Sequence, residues 1–191
     1  DVIFYGATSD MYLQWDESDN SLKLRDNVKL KIGSGNDLAI HHSGTNSEIK
    51  NLTGNLIIQN NDDDGDIIFK SDDGSGGTTT YLTLDGSLSR TQADKNILFT
   101  DGVYALFGNS QDLQIYHDGS HSYIKDTGTG NLRIDGSNLH FRNGDGSKLY
   151  ASAVDGGAFS LRHNNVTKLA TSSDGVDITG NLTVSTPSTS S

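Results

Sequence analysis

An internal repeat constrains the fold of this chain more than any other feature of its sequence. The segment Gly33–Lys50 aligns without gaps on Gly108–Lys125, an offset of 75 residues, and nine of the eighteen aligned positions are identical. A Gly-Asn-Leu sequence follows each copy, at 54–56 and 130–132, and recurs at 180–182. Self-similarity at a fixed spacing is typical of folds whose units bury their apolar faces against neighbours. The sequence therefore favours an extended repetitive fold over a globule with one thick core.

The identical positions are those that a strand and a turn require. Alternate apolar residues preserve one face of a strand, and glycine preserves a turn. The nine pairs are Gly33/Gly108, Asp37/Asp112, Leu38/Leu113, Ile40/Ile115, His42/His117, Gly44/Gly119, Ser47/Ser122, Ile49/Ile124 and Lys50/Lys125.

Short segments that alternate between apolar and polar residues run along the whole chain. Val28–Ile32 alternates strictly, and Asn55–Ile58 and Leu132–Ile134 are two further predicted strands. A period of two with one apolar face is the pattern of a half-buried strand. No stretch of 12 residues keeps helical periodicity without a glycine. The predicted fold class is all-β and elongated, with essentially no helix.

Asp-Gly dipeptides separate many of these predicted strands. Glycine reaches positive φ without a Cβ clash, and aspartate hydrogen-bonds the nearby backbone, so the pair favours tight turns. The nine dipeptides begin at Asp64, Asp73, Asp85, Asp101, Asp118, Asp135, Asp145, Asp155 and Asp174.

The composition supports only a thin core. Hydrophobic residues make up 32% of the chain, and including the 22 glycines brings this to about 43%, against about 45–50% in an average globular domain. The chain has no cysteine, so disulfides cannot stabilise it. We expect oligomerisation to do so. The predicted assembly is a parallel homotrimer with a shared narrow apolar interior, and a single-chain β-solenoid is the alternative.

The charge of the chain disfavours nucleic-acid binding. There are 14 basic and 25 acidic residues, a net charge of -11, and no basic cluster that could neutralise phosphates.

No run of about 18 apolar residues is present, so no membrane insertion is expected. The N-terminal sequence lacks an initiator methionine and the features of a signal peptide, and we expect the chain to be a piece of a longer protein.

The repeat predicts a division into four parts. These are an N-terminal β segment over 1–32, a first repeat over 33–107, a second repeat over 108–184 and a flexible tail over 185–191. The tail contains the single proline, Pro187, among serines and threonines, a composition typical of linkers.

Three segments resemble parts of known viral proteins. Asp112–Asp126 and Gly128–Ile134 are similar to a segment common in tail-fibre-like and virion structural proteins of marine phages. Lys168–Val184 resembles a second recurring piece of the same proteins, and Gly33–Ile58 is a degenerate copy of the first. Together these segments cover roughly half of the chain.

The resemblance implies a structural role in a virion appendage, outside the cell. It implies self-association, contacts with other virion proteins, and a contribution to attachment at the host surface. A module that itself binds host glycans is the alternative, and a polysaccharide depolymerase is a second alternative. We expect no enzymatic activity, because nine of the 23 aspartates lie in Asp-Gly turns and glutamate occurs only at Glu17 and Glu48.

The histidines are the main metal candidates. His42 and His117 occupy equivalent positions in the two repeats, and His121 lies four residues after His117. Three copies of one histidine could bind a transition metal on the axis of a trimer. The simpler interpretation is a hydrogen-bonded or exposed side chain beside a turn, and we predict no metal or cofactor.

Two other clusters suggest binding chemistry. The run Asn60–Asp66 resembles the start of a calcium loop, but its twelfth position is Ser71 where a bidentate glutamate is needed, so a solvated turn is expected.

Four aromatic residues are candidates for stacking on sugars, although their spacing favours packing inside the protein or at an interface. They are Trp15, Tyr104, Tyr116 and Tyr123, and Tyr123 is the best candidate for an exposed position.

Overall fold

The computed structural model describes residues 1–8, 10 and 12–184. Within this part of the chain there are 17 strands and no helix, which confirms the predicted all-β class. None of the described residues belongs to a helix that could cross a membrane. The predicted flexible tail, 185–191, lies outside the described residues.

All strand pairs are antiparallel and join strands that follow one another in sequence. They form four three-stranded meanders and one five-stranded meander. The strands are β1 Val2–Tyr5, β2 Tyr12–Asp16 and β3 Ser21–Leu24; β4 Leu30–Ile32, β5 Leu38–His42 and β6 Ser47–Asn51; β7 Ile67–Asp72, β8 Thr78–Asp85 and β9 Arg90–Ala93; β10 Tyr104–Phe107, β11 Leu113–His117 and β12 Ser122–Asp126; and β13 Asn138–Arg142, β14 Leu149–Val154, β15 Phe159–His163, β16 Val166–Ser172 and β17 Gly175–Ile178.

The chain divides into two compact units, Asp1–Ile97 and Leu98–Ser191. The first unit contains the three meanders β1–β3, β4–β6 and β7–β9, and the second contains β10–β12 and β13–β17.

The turn between β11 and β12 shows why Asp-Gly suits these connections. The Asp118 carboxylate accepts hydrogen bonds from the backbone N–H groups of Ser120 and His121, at 2.8 and 2.7 Å. Gly119, which directly follows Asp118, has a φ of 95°, a conformation that costs free energy for any residue with a Cβ. The aspartate thus satisfies the backbone of the turn while the glycine supplies its curvature.

Very little of the chain is buried. Among the described residues, Ala39 and Ala151 are the buried hydrophobic side chains, Ser152 and Ser160 are the buried polar ones, and no large side chain is fully buried. The chain exposes 15262 Å² of surface, whereas a compact protein of 20.4 kDa exposes about 8800 Å². The meanders therefore form from backbone pairing with little hydrophobic core within the single chain.

Two predicted strands are wrong. Asn55–Ile58 and Leu132–Ile134 have the apolar pattern of strands, but neither segment pairs with another strand of this chain. An alternating pattern shows that the side chains of a segment are compatible with a sheet. A strand also needs a neighbouring backbone to pair with, and the pattern does not show whether one is present.

Candidate assembly surface

The meanders β4–β6 and β10–β12 match one another residue by residue at the offset of 75. Ile40 lies opposite Leu30 and Ile49, and Ile115 lies opposite Ala105 and Ile124. The same N–H groups close the connections: Asn36 donates to the Gly33 carbonyl and Gln111 to the Gly108 carbonyl, each at 3.0 Å. Positions that are identical in the two segments therefore occupy equivalent places in two sheets.

One face of each of these meanders is apolar and exposed. Residues directly opposite in an antiparallel pair share a face, so the register defines its members. Ile49 and Ile124 are 62% and 63% exposed, and even in the central strands Ile40 and Ile115 remain 40% and 43% exposed. Because the two faces carry equivalent residues at the offset of 75, we call each of them the shared face. It comprises Leu30, Ile32, Leu38, Ile40, His42, Ser47 and Ile49 in the first meander, and Ala105, Phe107, Leu113, Ile115, His117, Ser122 and Ile124 in the second, with the polar residues Asn51 and Asp126 at one end.

A histidine–serine pair ends the shared face in both meanders. The Nδ1 atom of His42 lies 3.1 Å from the Ser47 Oγ, and that of His117 lies 3.1 Å from the Ser122 Oγ. Each pair is directly opposite across the strands, so the register creates the contact. The histidine that occurs in both repeats therefore has a structural role, which is to contact the serine hydroxyl on the neighbouring strand.

The equivalence between the meanders begins earlier than the aligned segment Gly33–Lys50. Asn27 donates its N–H to the His42 carbonyl at 2.7 Å, and Gly102 donates to the His117 carbonyl at 2.8 Å. A Cβ placed on Gly44 or Gly119 would lie 3.5 or 3.6 Å from the carboxylate of Asp26 or Asp101. The sequence analysis missed these residues. The identities Asp26/Asp101 and Val28/Val103 at the same offset are the signal that could have revealed them.

The opposite faces of the two meanders carry different chemistry. In the second meander Tyr104, Tyr116 and Tyr123 form a ladder across the three strands. The Tyr104 and Tyr116 ring centroids are 4.2 Å apart, and those of Tyr116 and Tyr123 are 4.6 Å apart. In the first meander, His41 and Glu48 take the places of Tyr116 and Tyr123, with 4.0 Å between the His41 Nε2 and the Glu48 Oε2.

The tyrosine ladder is joined to the neighbouring turn through Asp118. The Tyr123 hydroxyl donates to the Asp118 Oδ2 at 2.9 Å, and this hydrogen bond raises the pKa of Tyr123. Burial between its neighbours raises the pKa of Tyr116. The backbone N–H groups of His121 and Ser120, followed by the Tyr123 hydroxyl, lower the pKa of Asp118. Tyr123 is 36% exposed and Trp15, on another sheet, is 42% exposed.

Trp15 belongs to the apolar face of the first meander in the chain. It lies opposite Val2 and Leu22, and on the same face Leu13 lies opposite Phe4 and Leu24. The face is again largely exposed: Phe4 is 64% and Leu22 is 57% exposed. Its members are apolar at every paired position, which is the pattern of a covered surface.

Each histidine considered for metal binding has a polar neighbour within its own meander. His42 and His117 each contact a serine, and His121 is an exposed side chain whose Nδ1 lies 3.9 Å from the Asp118 Oδ1. Over residues 1–8, 10 and 12–184, no three His, Cys, Asp or Glu side chains are grouped so that they could hold a metal ion. The prediction of an axial site in a trimer concerns several copies and stays a prediction.

The run Asn60–Asp66 forms a turn closed by its own hydrogen bonds. The Asn60 side chain accepts from the Asp62 N–H at 3.0 Å and donates to the Asp66 carbonyl at 3.1 Å. The Asp66 carboxylate accepts from the Gly86 N–H at 3.0 Å. Two of the oxygens that a calcium loop would direct at the ion therefore already accept hydrogen bonds: the Asn60 Oδ1 from a backbone N–H, and the Asp66 carbonyl from the Asn60 side chain.

The chain matches no protein-family model, and neither a curated protein nor a solved structure matches it.

Proposed function

We propose that this chain is a structural segment of a phage tail fibre or related virion appendage, in which three copies cover one another's apolar faces. The role is mechanical: the segment extends the appendage and contributes to contact with the host surface. It acts outside the cell, as part of the virion, and its partners are other copies of itself and neighbouring virion proteins.

The observation that carries this proposal is the exposed apolar surface on the shared face of both meanders. Exposed apolar patches larger than a few hundred Å² are rare on monomeric proteins and mark interaction sites. The exposed area exceeds that of a compact protein of this mass by about 6400 Å², and a standard protein interface buries about 1600 Å² in total. The chain thus has enough surface for several large interfaces between copies.

A closed ring of copies fits the distribution of apolar residues. The meanders β4–β6 and β10–β12 each have one apolar face. Copies of such a meander arranged around an axis, with these faces turned inward, can cover all of the faces at once. Cyclic symmetry gives every copy the same environment, and closure also limits uncontrolled strand pairing. A single-chain solenoid, the alternative, would cover the apolar faces by stacking within one chain, and the exposures of Ile49 and Ile124 favour the multi-chain arrangement.

A pair of matched substitutions tests the proposal. Ile49→Asp with Ile124→Asp introduces charge on the shared face, and Lys50→Asp with Lys125→Asp introduces even more negative charge on the opposite face of the same strands. We expect the isoleucine variant to sediment as a lighter species than the parent chain while keeping its β circular dichroism. The lysine variant should keep the parent mass. An isoleucine variant with the parent mass contradicts the proposal.

Glycan binding is a second candidate function, and the tyrosine ladder favours it. Ring faces of tyrosine stack well on apolar surfaces, and the hydroxyl of Tyr123 is held in place by Asp118. Tyr116 lies between its two neighbours, so the outward-facing ring surfaces belong to Tyr104 and Tyr123. Binding of the parent chain, and not of Tyr123→Ala, on a glycan array would support this function. If the parent chain binds none of the glycans on the array, recognition of those glycans is excluded.

A further inference from the structure

Two apolar segments of the chain run without a turn or bend and yet have no strand partner. They are residues 55–58, Asn-Leu-Ile-Ile, and residues 131–134, Asn-Leu-Arg-Ile. Neither segment is in a sheet, and no hydrogen bond joins its backbone to any other described residue. Each directly follows the glycine of a Gly-Asn-Leu sequence, a few residues beyond the edge strand β6 or β12.

The side chains of these segments are unusually exposed for their type. Ile57 is 75% and Ile58 is 61% exposed, and Leu132 and Ile134 are 45% and 60% exposed. Ordering a residue costs about 1–2 kcal/mol of backbone entropy, which apolar burial and hydrogen bonds normally offset. Within this chain the two segments make no backbone hydrogen bonds to other described residues, and their apolar side chains are only partly covered. Segments in which leucine and isoleucine recur in this way are suited to a sheet that the single chain does not supply.

We propose that residues 55–58 and 131–134 pair, strand to strand, with a second copy of this chain. This inference rests on the proposed function, since it specifies how the copies contact one another. Pairing would satisfy the backbone N–H and C=O groups of each segment and would cover its isoleucine and leucine side chains. Because every sheet in the described chain has two edge strands, a neighbouring copy offers free backbone edges for this pairing.

The charge of the chain restricts where a second copy can approach. The net charge is -11, so two copies repel one another over most of their surface. Residues 55–58 carry no charge, and the charged residue in 131–134, Arg133, is neutralised by an ion pair with Asp135 at 3.1 Å. These segments are therefore places where acidic copies can approach closely. One segment lies in each compact unit, in each case after one of the two matching meanders, so every copy carries two sites for this pairing.

Hydrogen exchange on the full chain tests this pairing directly. In the assembled protein we expect the amides within 55–58 and 131–134 that face the partner to exchange at least about 100-fold more slowly than in an unstructured chain. The amides of Asp63 and Asp64, in the exposed turn, serve as the rapidly exchanging comparison. Exchange of both segments as fast as this turn, in a sample whose solution mass is that of several chains, overturns the pairing and leaves the proposed assembly intact. A single-chain mass overturns both.

Proline substitution provides an independent test. Successive N–H groups of a strand point to opposite sides, so Ile57→Pro and Ile58→Pro each remove a donor from one side. Ile57→Val and Ile58→Val keep both the N–H group and the β-branched side chain. We expect at least one proline variant to lose mass in sedimentation or to dissociate at a lower temperature than its valine control. If both proline variants assemble as the valine controls do, the pairing is wrong.

Discussion

The rings of Tyr116 and Tyr123 stack across two neighbouring strands, with centroids 4.6 Å apart and planes inclined by 13°. Aromatic pairs of this geometry stabilise a sheet beyond the area that they bury. The hydrogen bond from the Tyr123 hydroxyl to Asp118 attaches the same ring to the turn between β11 and β12. One side chain therefore connects the ladder, the edge strand and the turn.

Replacing Tyr123 by leucine should destabilise the second unit. Tyr123→Leu removes both the stack and the hydroxyl hydrogen bond, so we expect its denaturant midpoint to fall. Tyr150→Leu is the matched control, because Tyr150 is a strand residue that is 53% exposed and has no aromatic partner among the described residues. Chemical denaturation followed by circular dichroism measures both. Equal midpoints for the two variants would show that the ladder contributes nothing to stability.

The positive φ of Gly119 predicts a backbone cost for any side chain there. A Cβ at this position would lie 3.6 Å from the nearest atom, so space is available and the cost comes from the φ of 95°. We expect Gly119→Ala to lower the free energy of unfolding by about 1–3 kcal/mol. Gly130→Ala is the control, since its Cβ would have no neighbour within 4 Å and its φ is not in the left-handed region. A Gly119→Ala chain as stable as the control would contradict the turn geometry.

The carboxylate of Asp16 should titrate far below the usual range. Its hydrogen bond with Lys23, at 2.7 Å, is the largest cause that lowers the pKa of Asp16 to about 2. Because this pKa lies below the ordinary 3.8, the stability that the contact contributes is full at higher pH and is lost as the pH falls through about 2. In Lys23→Met we expect the pKa to rise towards 3.8, as measured by NMR titration of the carboxyl carbon.

A lysine of the other unit provides the control for the Asp16 titration. Lys125 lies in β12, in the other unit, and its replacement by methionine should leave the Asp16 titration unchanged. A pKa near 3.8 in the parent chain would show that the Lys23 contact is absent in solution.

The sequence predicted the strands where pairing is local and failed where it is not. Val28–Ile32 contains β4, and Leu113–Tyr116 lies within β11, because a meander supplies a neighbouring strand a few residues away. Asn55–Ile58 carries the same signal without a partner in its own chain. Alternation records which side chains would share a face, and says nothing of whether a second backbone is available.

The chemistry of the site was predictable only in part. The retention of His42 and His117 was visible in the sequence, but their contact with Ser47 and Ser122 depends on strand register, which alternation alone does not define. The ladder of Tyr104, Tyr116 and Tyr123 has the same origin, because its members come from three strands. The sequence identified these tyrosines separately and could not show that they stack.

Sedimentation equilibrium of the full chain at neutral pH tests most directly whether the apolar faces are covered by other copies. The account predicts a single species with three times the 20.4 kDa mass of the chain, unchanged on dilution across the accessible range. A folded species with the mass of one chain would contradict it, because the exposed isoleucines and leucines of the shared face would then remain in water.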